Sequence, residues 1–220
     1  KTHNFGQKAL AFAVTHSIPH KNISTEIHLS GGPFTLVPLQ DQDGEPSSAV
    51  VWMDKSEEAA KLMDMKDKEF EEEMTQRSCN VLGPLKLASK RSLWPIISQV
   101  ADRIYSQRLA LIGETAHVVP PIGAQGLNMS LADIKFLSDL DKKYPDDLGS
   151  THSLNEYQKN RIADIRQRVI GVSTLNHISI SESKVVQNIR AFGLENLFQV
   201  PAVKNSVMKL GLGYKQSYST

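Results

Sequence analysis

The hydrophobic pattern changes character along the chain. Between Lys8 and Thr15, larger side chains (Leu10, Phe12, Val14) alternate with small ones (Ala9, Ala11, Ala13). A period of two sends successive residues to opposite faces of a strand, so this segment is expected to be one. Gly31-Gly32-Pro33 punctuates, and Phe34–Leu39 follows as a second strand. Asp41-Gln-Asp-Gly-Glu-Pro46 reads as a turn, and Ala49–Met53 as a third strand. Short apolar runs divided by turns predict an antiparallel sheet.

The period then lengthens. Ser56-Glu57-Glu58 opens a helical stretch predicted through Lys66 and continued from Asp67 to Gln76. The acidic run Glu69–Glu73 reads as a solvated helix face. Pro84–Leu93 returns to strand alternation and is expected to end at Trp94-Pro95. Arg108–Ile112 is a short apolar run stopped by Gly113, the pattern of a buried strand. Ala132, Phe136 and Leu140 recur at helical spacing in a helix predicted from Met129 to Lys142, and Tyr144–Gly149 breaks it. Leu154, Tyr157, Ile165, Val169 and Val172 mark one face of a long helix, with Gly171 inside that face as a kink or a close helix contact. Further helices are predicted over Lys184–Gln199 and Ala202–Leu210, parted by Pro201. Sheet first, then one buried strand with a glycine loop, then helices: the class is α+β. The expected divisions are residues 1–95, 96–142 and 143–220.

Composition narrows the field. The 220 residues are 40% apolar and 22% charged, with a formal net charge of +1. These are ordinary values for a globular protein, and they give no electrostatic footprint for nucleic acid. Cys79 is the single cysteine, which excludes an internal disulfide and a cysteine-based zinc cluster and fits a reducing, cytoplasmic setting. His3, His16, His20, His28, His152 and His177 show no metal-ligand spacing, so no metal is expected. No apolar run reaches the roughly 20 residues of a membrane-spanning helix. Lys1-Thr2-His3-Asn4 leads into a strand-like run without a leader pattern, as in a piece of a longer chain.

One segment stands out: Gly113-Glu-Thr-Ala-His-Val-Val-Pro-Pro-Ile-Gly-Ala-Gln-Gly-Leu-Asn-Met-Ser-Leu-Ala-Asp133. A strand ends at a glycine, an acid follows, two prolines fix the loop, and two more glycines precede a helix. Glycine lets backbone approach a ligand closely. The first backbone N–H groups of a helix are unpaired, and the helix dipole favours negative charge there. Such a loop suits an anionic or carbonyl-rich group. Spacing alone leaves a plain strand–loop–helix connection equally open.

The segment closely resembles the second flavin-binding motif of the para-hydroxybenzoate hydroxylase superfamily. Gly113, Ala116, His117, Pro120, Pro121, Gly123, Gly126, Leu127, Asn128 and Asp133 fall in order and without gaps. Lys1–Leu10, Gly32–Leu39, Val50-Val51-Trp52 and Leu93-Trp94-Pro95 are similar to the ubiquinone-biosynthesis hydroxylase branch, so the resemblance spans most of residues 1–142. It implies a substrate-side sheet domain over residues 1–95, the C-terminal part of an FAD-binding domain over 96–142, and C-terminal helices thereafter. It also implies FAD as cofactor and NAD(P)H as electron donor. A polyprenyl phenol would be hydroxylated through a C4a-hydroperoxyflavin.

The same resemblance assigns cofactor contact to Gly113, Glu114, Pro121, Gly123, Gln125, Gly126, Leu127 and Asn128. Glu114 would bind the ribityl hydroxyls, although the family more often has Asp there. Gly126, Leu127 and Asn128 would offer backbone groups to the flavin pyrimidine. The Pro121 carbonyl would lie near the substrate and the flavin edge, the one catalytic position implied. His117 reads as a packed structural residue rather than a base. Trp52 and Trp94 read as sheet core or rim.

The family's dinucleotide fingerprint, Gly-x-Gly-x-x-Gly, is absent; Gly211-Leu-Gly213 is followed by Gln216 where the third glycine would stand. The chain by itself is therefore expected to be inactive. Two alternatives stay open: a reaction on another aromatic substrate with the same fold, and a non-catalytic oligomerisation or partner-binding domain without flavin. Self-association, contact with a quinone-biosynthesis complex, and peripheral contact with the inner face of a membrane complete the expectations. Phe192, Leu194, Leu197, Phe198, Val200, Val203, Val207, Met208, Leu210 and Leu212, with Lys204, Lys209 and Lys215 interspersed, read first as terminal helices packed on the flavin domain; because a polyprenyl phenol resides in a bilayer, the same basic amphipathic segment is also open to the membrane reading.

Overall fold

A computed structural model describes residues 1–180 and the isolated positions 193 and 205. The helices expected beyond Lys184, and the apolar and basic C-terminal segment with them, lie outside the described residues. The chain divides into two compact units, one built mainly from residues 4–96 and the other from residues 97–178 with Lys1–His3. The class is the α+β expected.

In the sheet unit, β1 (Thr2–His16), β2 (Thr25–Leu29), β3 (Gly32–Pro38) and β4 (Ser47–Lys55) form an antiparallel sheet in the order β2-β3-β4-β1. The alternation at the start of the chain decides the register. Leu10 and Phe12 face Trp52 and Val50 across the ladder, and Phe34 lies opposite Trp52 on the other side. All five are buried. The second edge of β1 takes β5 (Leu85–Leu87) at its last three residues, and it also pairs with β6 (Ser92–Val100).

Helices α1 (Ser56–Asp64) and α2 (Asp67–Arg77) cover the core with Ala59, Leu62, Phe70 and Met74. Phe12 meets Phe70 edge-on at 5.1 Å between ring centres, a favoured aromatic geometry.

Several expectations in this unit need correction. The helical stretch from Ser56 is two helices, because Met65 and Lys66 are extended. Arg91 explains the break: it donates to the carbonyls of Leu62 (2.8 Å) and Met65 (2.7 Å), satisfying the end of α1. The strand read over Pro84–Leu93 is two strands, and the second runs through Trp94 and Pro95 rather than ending there. Strand β2 went unread because its alternation, Thr25-Glu-Ile-His-Leu29, is that of an outer strand with only Ile27 packed on the core.

In the helical unit, the far end of β6 pairs with β9 (His117–Val118), which brings the sheet to seven strands. Arg108–Ile112 is not a buried strand. Its Leu109-Ala110 forms the second arm, β8, of a small hairpin with β7 (Tyr105–Ser106), and Leu109 and Ile112 are 48% and 39% exposed. The hairpin turn at Arg108 (φ 54) folds the run back on its own neighbours, with Leu111 N–H bonded to Ile104 O at 2.8 Å.

Helices α3 (Gln125–Lys143) and α4 (Thr151–Ile180) supply the core with Met129, Leu140, Tyr157 and Ile165, closed by Ile104 and Ala116. The apolar face predicted for α4 is buried at Leu154, Tyr157, Ile165 and Val172. Gly171 is exposed, α4 continues through it, and a Cβ there would touch nothing, so it is neither a kink nor a close contact.

Candidate functional site

The loop from Gly113 to Ala124 belongs wholly to the helical unit. It begins with Gly113 in the left-handed region at φ 57, where L side chains are strained and a Cβ would sit 3.1 Å from Ser130 Oγ. A single 3-10 turn, Gly113–Thr115, follows. Strand β9 then sets His117 beside Val100. Pro120 is buried, and Pro121 is exposed and leads into a second 3-10 turn over Ile122–Ala124. Gly123 (φ 68) and Ala124 (φ 50) are both left-handed, and α3 starts directly after them.

The helix therefore begins at Gln125, four residues before the predicted start. Gly126, Leu127 and Asn128 lie in its first turn rather than in the loop. This turn has no side-chain cap and no acidic residue, so its positive end is not neutralised from within. Gly126 is exposed, and a Cβ built on it would meet nothing within 4 Å. Leu127 is 70% exposed. Glu114 is exposed and makes no hydrogen bond or ion pair with the described residues. The Gln125 side chain is turned inward: its Nε2 donates to Gly123 O at 3.0 Å and its Oε1 accepts from Arg168 Nη1 at 3.0 Å.

Behind the loop stands Asp133, fully buried. Its Oδ2 accepts from Gly113 N–H (3.0 Å) and His117 Nε2 (2.8 Å), and its Oδ1 from Arg161 Nε (2.8 Å). Burial pushes the Asp133 carboxyl up, but these donors together hold it below its ordinary value. An ionised carboxylate only accepts, so His117 Nε2 is the donor and its proton is committed to structure. Arg161 Nη1 bonds Asp164 Oδ2 at 2.7 Å, and Arg168 Nε reaches the same carboxylate at 3.2 Å. Burial raises Asp164 as well, and the two arginines bring it below its usual value. Tyr157, also buried, donates to Leu111 O at 2.8 Å, and burial raises its phenol far above the ordinary range.

Arg161, Asp164 and Arg168 were not singled out from the sequence. A signal for Arg161 was present: it occupies the gap between Tyr157 and Ile165 on the apolar face of α4, where a charge must be paired to be buried. Among the described residues no cluster of potential metal ligands exists.

The residues fit a flavin in kind. An uncapped helix start offers backbone donors to carbonyl and anionic groups, and Gly126 leaves open the space a side chain would fill.

A family profile described as an FAD binding domain matches residues 2–170. Ubiquinone hydroxylase UbiL of Rhodospirillum rubrum is 26% identical over 216 residues, covering 97% of this chain and 49% of that protein. The human mitochondrial ubiquinone biosynthesis monooxygenase COQ6 is 25% identical over 242 residues, covering 93% of this chain and 51% of that protein. The chain thus spans about half the length of the curated relatives it matches. Among solved structures, p-nitrophenol 4-monooxygenase PnpA of Pseudomonas putida shares the fold with a TM-score of 0.71 at 13% identity, over 96% of this chain and 54% of that one. PqsL of Pseudomonas aeruginosa does so with a TM-score of 0.62 at 19% identity, over 85% and 51%.

Proposed function

The chain belongs to the FAD-binding domain family, and we propose that it forms one side of the flavin site of a monooxygenase that hydroxylates a polyprenyl phenol in ubiquinone biosynthesis. The observation that carries the flavin reading is the start of α3, an uncapped helix in which a Cβ on Gly126 would meet nothing within 4 Å among the described residues. The substrate class is supported by the names of the relatives, UbiL and COQ6.

Bound FAD, reduced by NAD(P)H, supplies the oxygen-transfer chemistry; the protein supplies orientation, electrostatics and exclusion of water. The backbone of Gly126, Leu127 and Asn128 would hold the carbonyl-rich end of the ring, where the helix dipole would stabilise negative charge. Gly113 and Gly123 keep the backbone close, and Gln125 contributes through its backbone, since its side chain is occupied. Glu114 is the acceptor for the ribityl hydroxyls. The Pro121 carbonyl, which accepts a long bond from Ala124 N–H at 3.4 Å, would lie nearest the reacting edge. His117 moves no proton, being committed to Asp133.

In this reading residues 1–95 are the substrate side, 96–142 the flavin side, and 143–220 the supporting helices. No helix among the described residues is long and apolar enough to cross a membrane. Peripheral membrane contact belongs to the proposal because a polyprenyl substrate resides in a bilayer, and co-flotation with liposomes tests it.

The deciding experiment is Gly126→Val in the full-length protein that carries this chain. The variant is expected to emerge from gel filtration without FAD and to form no hydroxylated phenol by mass spectrometry. Stoichiometric FAD on the variant would overturn the site.

A further inference from the structure

The polar contacts behind the loop form a closed circuit. It starts at Gly113 N–H, passes through Asp133, Arg161, Asp164 and Arg168, and returns through Gln125 to the carbonyl of Gly123. Gly113 opens the loop and Gly123 begins the left-handed pair that closes it, so one chain of alternating charges grips both ends. Asp133, Arg161, Asp164 and Arg168 sum to zero charge, which suits their burial: 0%, 7%, 16% and 19% side-chain exposure.

The last link is directional. A guanidinium has donors and no acceptor, and a carbonyl has only lone pairs. Gln125 can satisfy both neighbours in one orientation alone, with Oε1 toward Arg168 and Nε2 toward Gly123. Arg168 thereby fixes the amide, and the amide holds the two left-handed residues that aim the start of α3. Alanine at φ 50 does not adopt that conformation readily by itself. The first turn of α3 has no cap of its own to do this work.

We infer that Arg168 is a positioning residue for the flavin site, acting through Gln125 on the backbone donors of α3. The inference rests on the flavin reading of that helix start. Arg168 bonds the side chains of Asp164 and Gln125, and so acts on the backbone of the helix start at one remove, as supporting contacts do around other functional groups.

The test uses the full-length protein with three readouts: FAD dissociation constant by fluorescence, the fine structure of the visible flavin spectrum, and the midpoint of thermal unfolding of the FAD-stripped protein. Arg168→Met is expected to weaken FAD binding about tenfold and to alter the spectrum. Arg168→Lys keeps one donor and the charge opposite Asp164, and should recover part of both effects. Gln125→Met should behave like Arg168→Met, and the double variant should be no worse than either single one, because both remove the same link.

Wild-type affinity and spectrum in Arg168→Met, or fully additive losses in the double variant, would overturn the inference. If Arg168→Met does not fold, Gln125→Met and Arg168→Lys decide it by the same criteria. A loss of affinity matched by an equal loss of unfolding midpoint, with an unchanged spectrum, also counts against positioning. Gly126→Val separates the two levels: if it keeps FAD, the flavin reading fails; if it loses FAD while Arg168→Met does not, only the positioning role fails.

Discussion

Asp133 accepts three hydrogen bonds while fully excluded from water, and it joins Gly113, His117 and α4 in one arrangement. Replacing it with Asn keeps the size, removes the charge, and turns an NH2 group toward either Gly113 N–H or the Arg161 guanidinium, both of which only donate. Asp133→Asn is expected to cost about 3–5 kcal/mol, the scale for removing one partner of a buried ion pair; urea unfolding at neutral pH measures it. The pH dependence has a definite sign. A carboxyl held below its ordinary value stabilises the fold above the unfolded pKa of about 3.9, and that contribution is lost as pH falls through the lower folded value. The gap between wild type and Asp133→Asn should therefore be full near pH 7 and close progressively below about pH 4. An equal gap at pH 7 and pH 3 would mean that the charge is not what stabilises. Glu114 is the opposite kind of residue: exposed, with no partner among the described residues. Its removal should leave stability unchanged and weaken FAD binding by about 1–3 kcal/mol, the cost of hydroxyls losing a charged acceptor. Glu114→Asp should be mild; an Asp variant as poor as Ala would deny Glu114 that role.

At the scale of elements, the start of α3 separates stability from function. Gly126 lies in a helix without positive φ, so its glycine serves no backbone need. Gly126→Ala should leave the unfolding midpoint unchanged or raise it, by up to about 1 kcal/mol in stability. Its methyl enters the space proposed for the flavin, so FAD affinity should fall although the fold does not. A variant that is more stable and binds FAD normally would place the ligand elsewhere. The same element shows what sequence could and could not reveal. The order of residues from Gly113 to Asp133 was legible because it is long and gapless. The true start of α3 was not, because Gly123, Gly126 and the lack of a capping side chain mimic loop, and the left-handed pair before the helix leaves no mark in composition. Strand β1 was legible from alternation alone. The exposure of Leu109 and Ile112 was not, since an apolar run reads as buried whatever its neighbours do.

For the whole molecule, what escaped the sequence is long-range pairing. Arg161 meets Asp133, and Arg168 meets Gln125, only because α3 and α4 pack together, whereas Arg161–Asp164 and Asp164–Arg168 are neighbours three and four residues apart on α4, a spacing the sequence does carry. The α+β class followed from element order, which needs no such pairing. The loop and the start of α3 offer contacts to one end of a flavin, and the 220 residues contain no Gly-x-Gly-x-x-Gly run to seat a pyrophosphate. An ADP moiety bound without such a seat loses both the helix-terminus interaction and the close backbone approach that it normally uses. The 220-residue chain expressed alone should therefore fold around the two cores described, yet release FAD on gel filtration and elute colourless. Its circular dichroism should show the mixed helix and strand of the fold, so that loss of flavin is not loss of structure. A yellow, stoichiometric complex that survives the column would show that the ring-side contacts suffice, and the division of labour proposed for the cofactor would then be wrong.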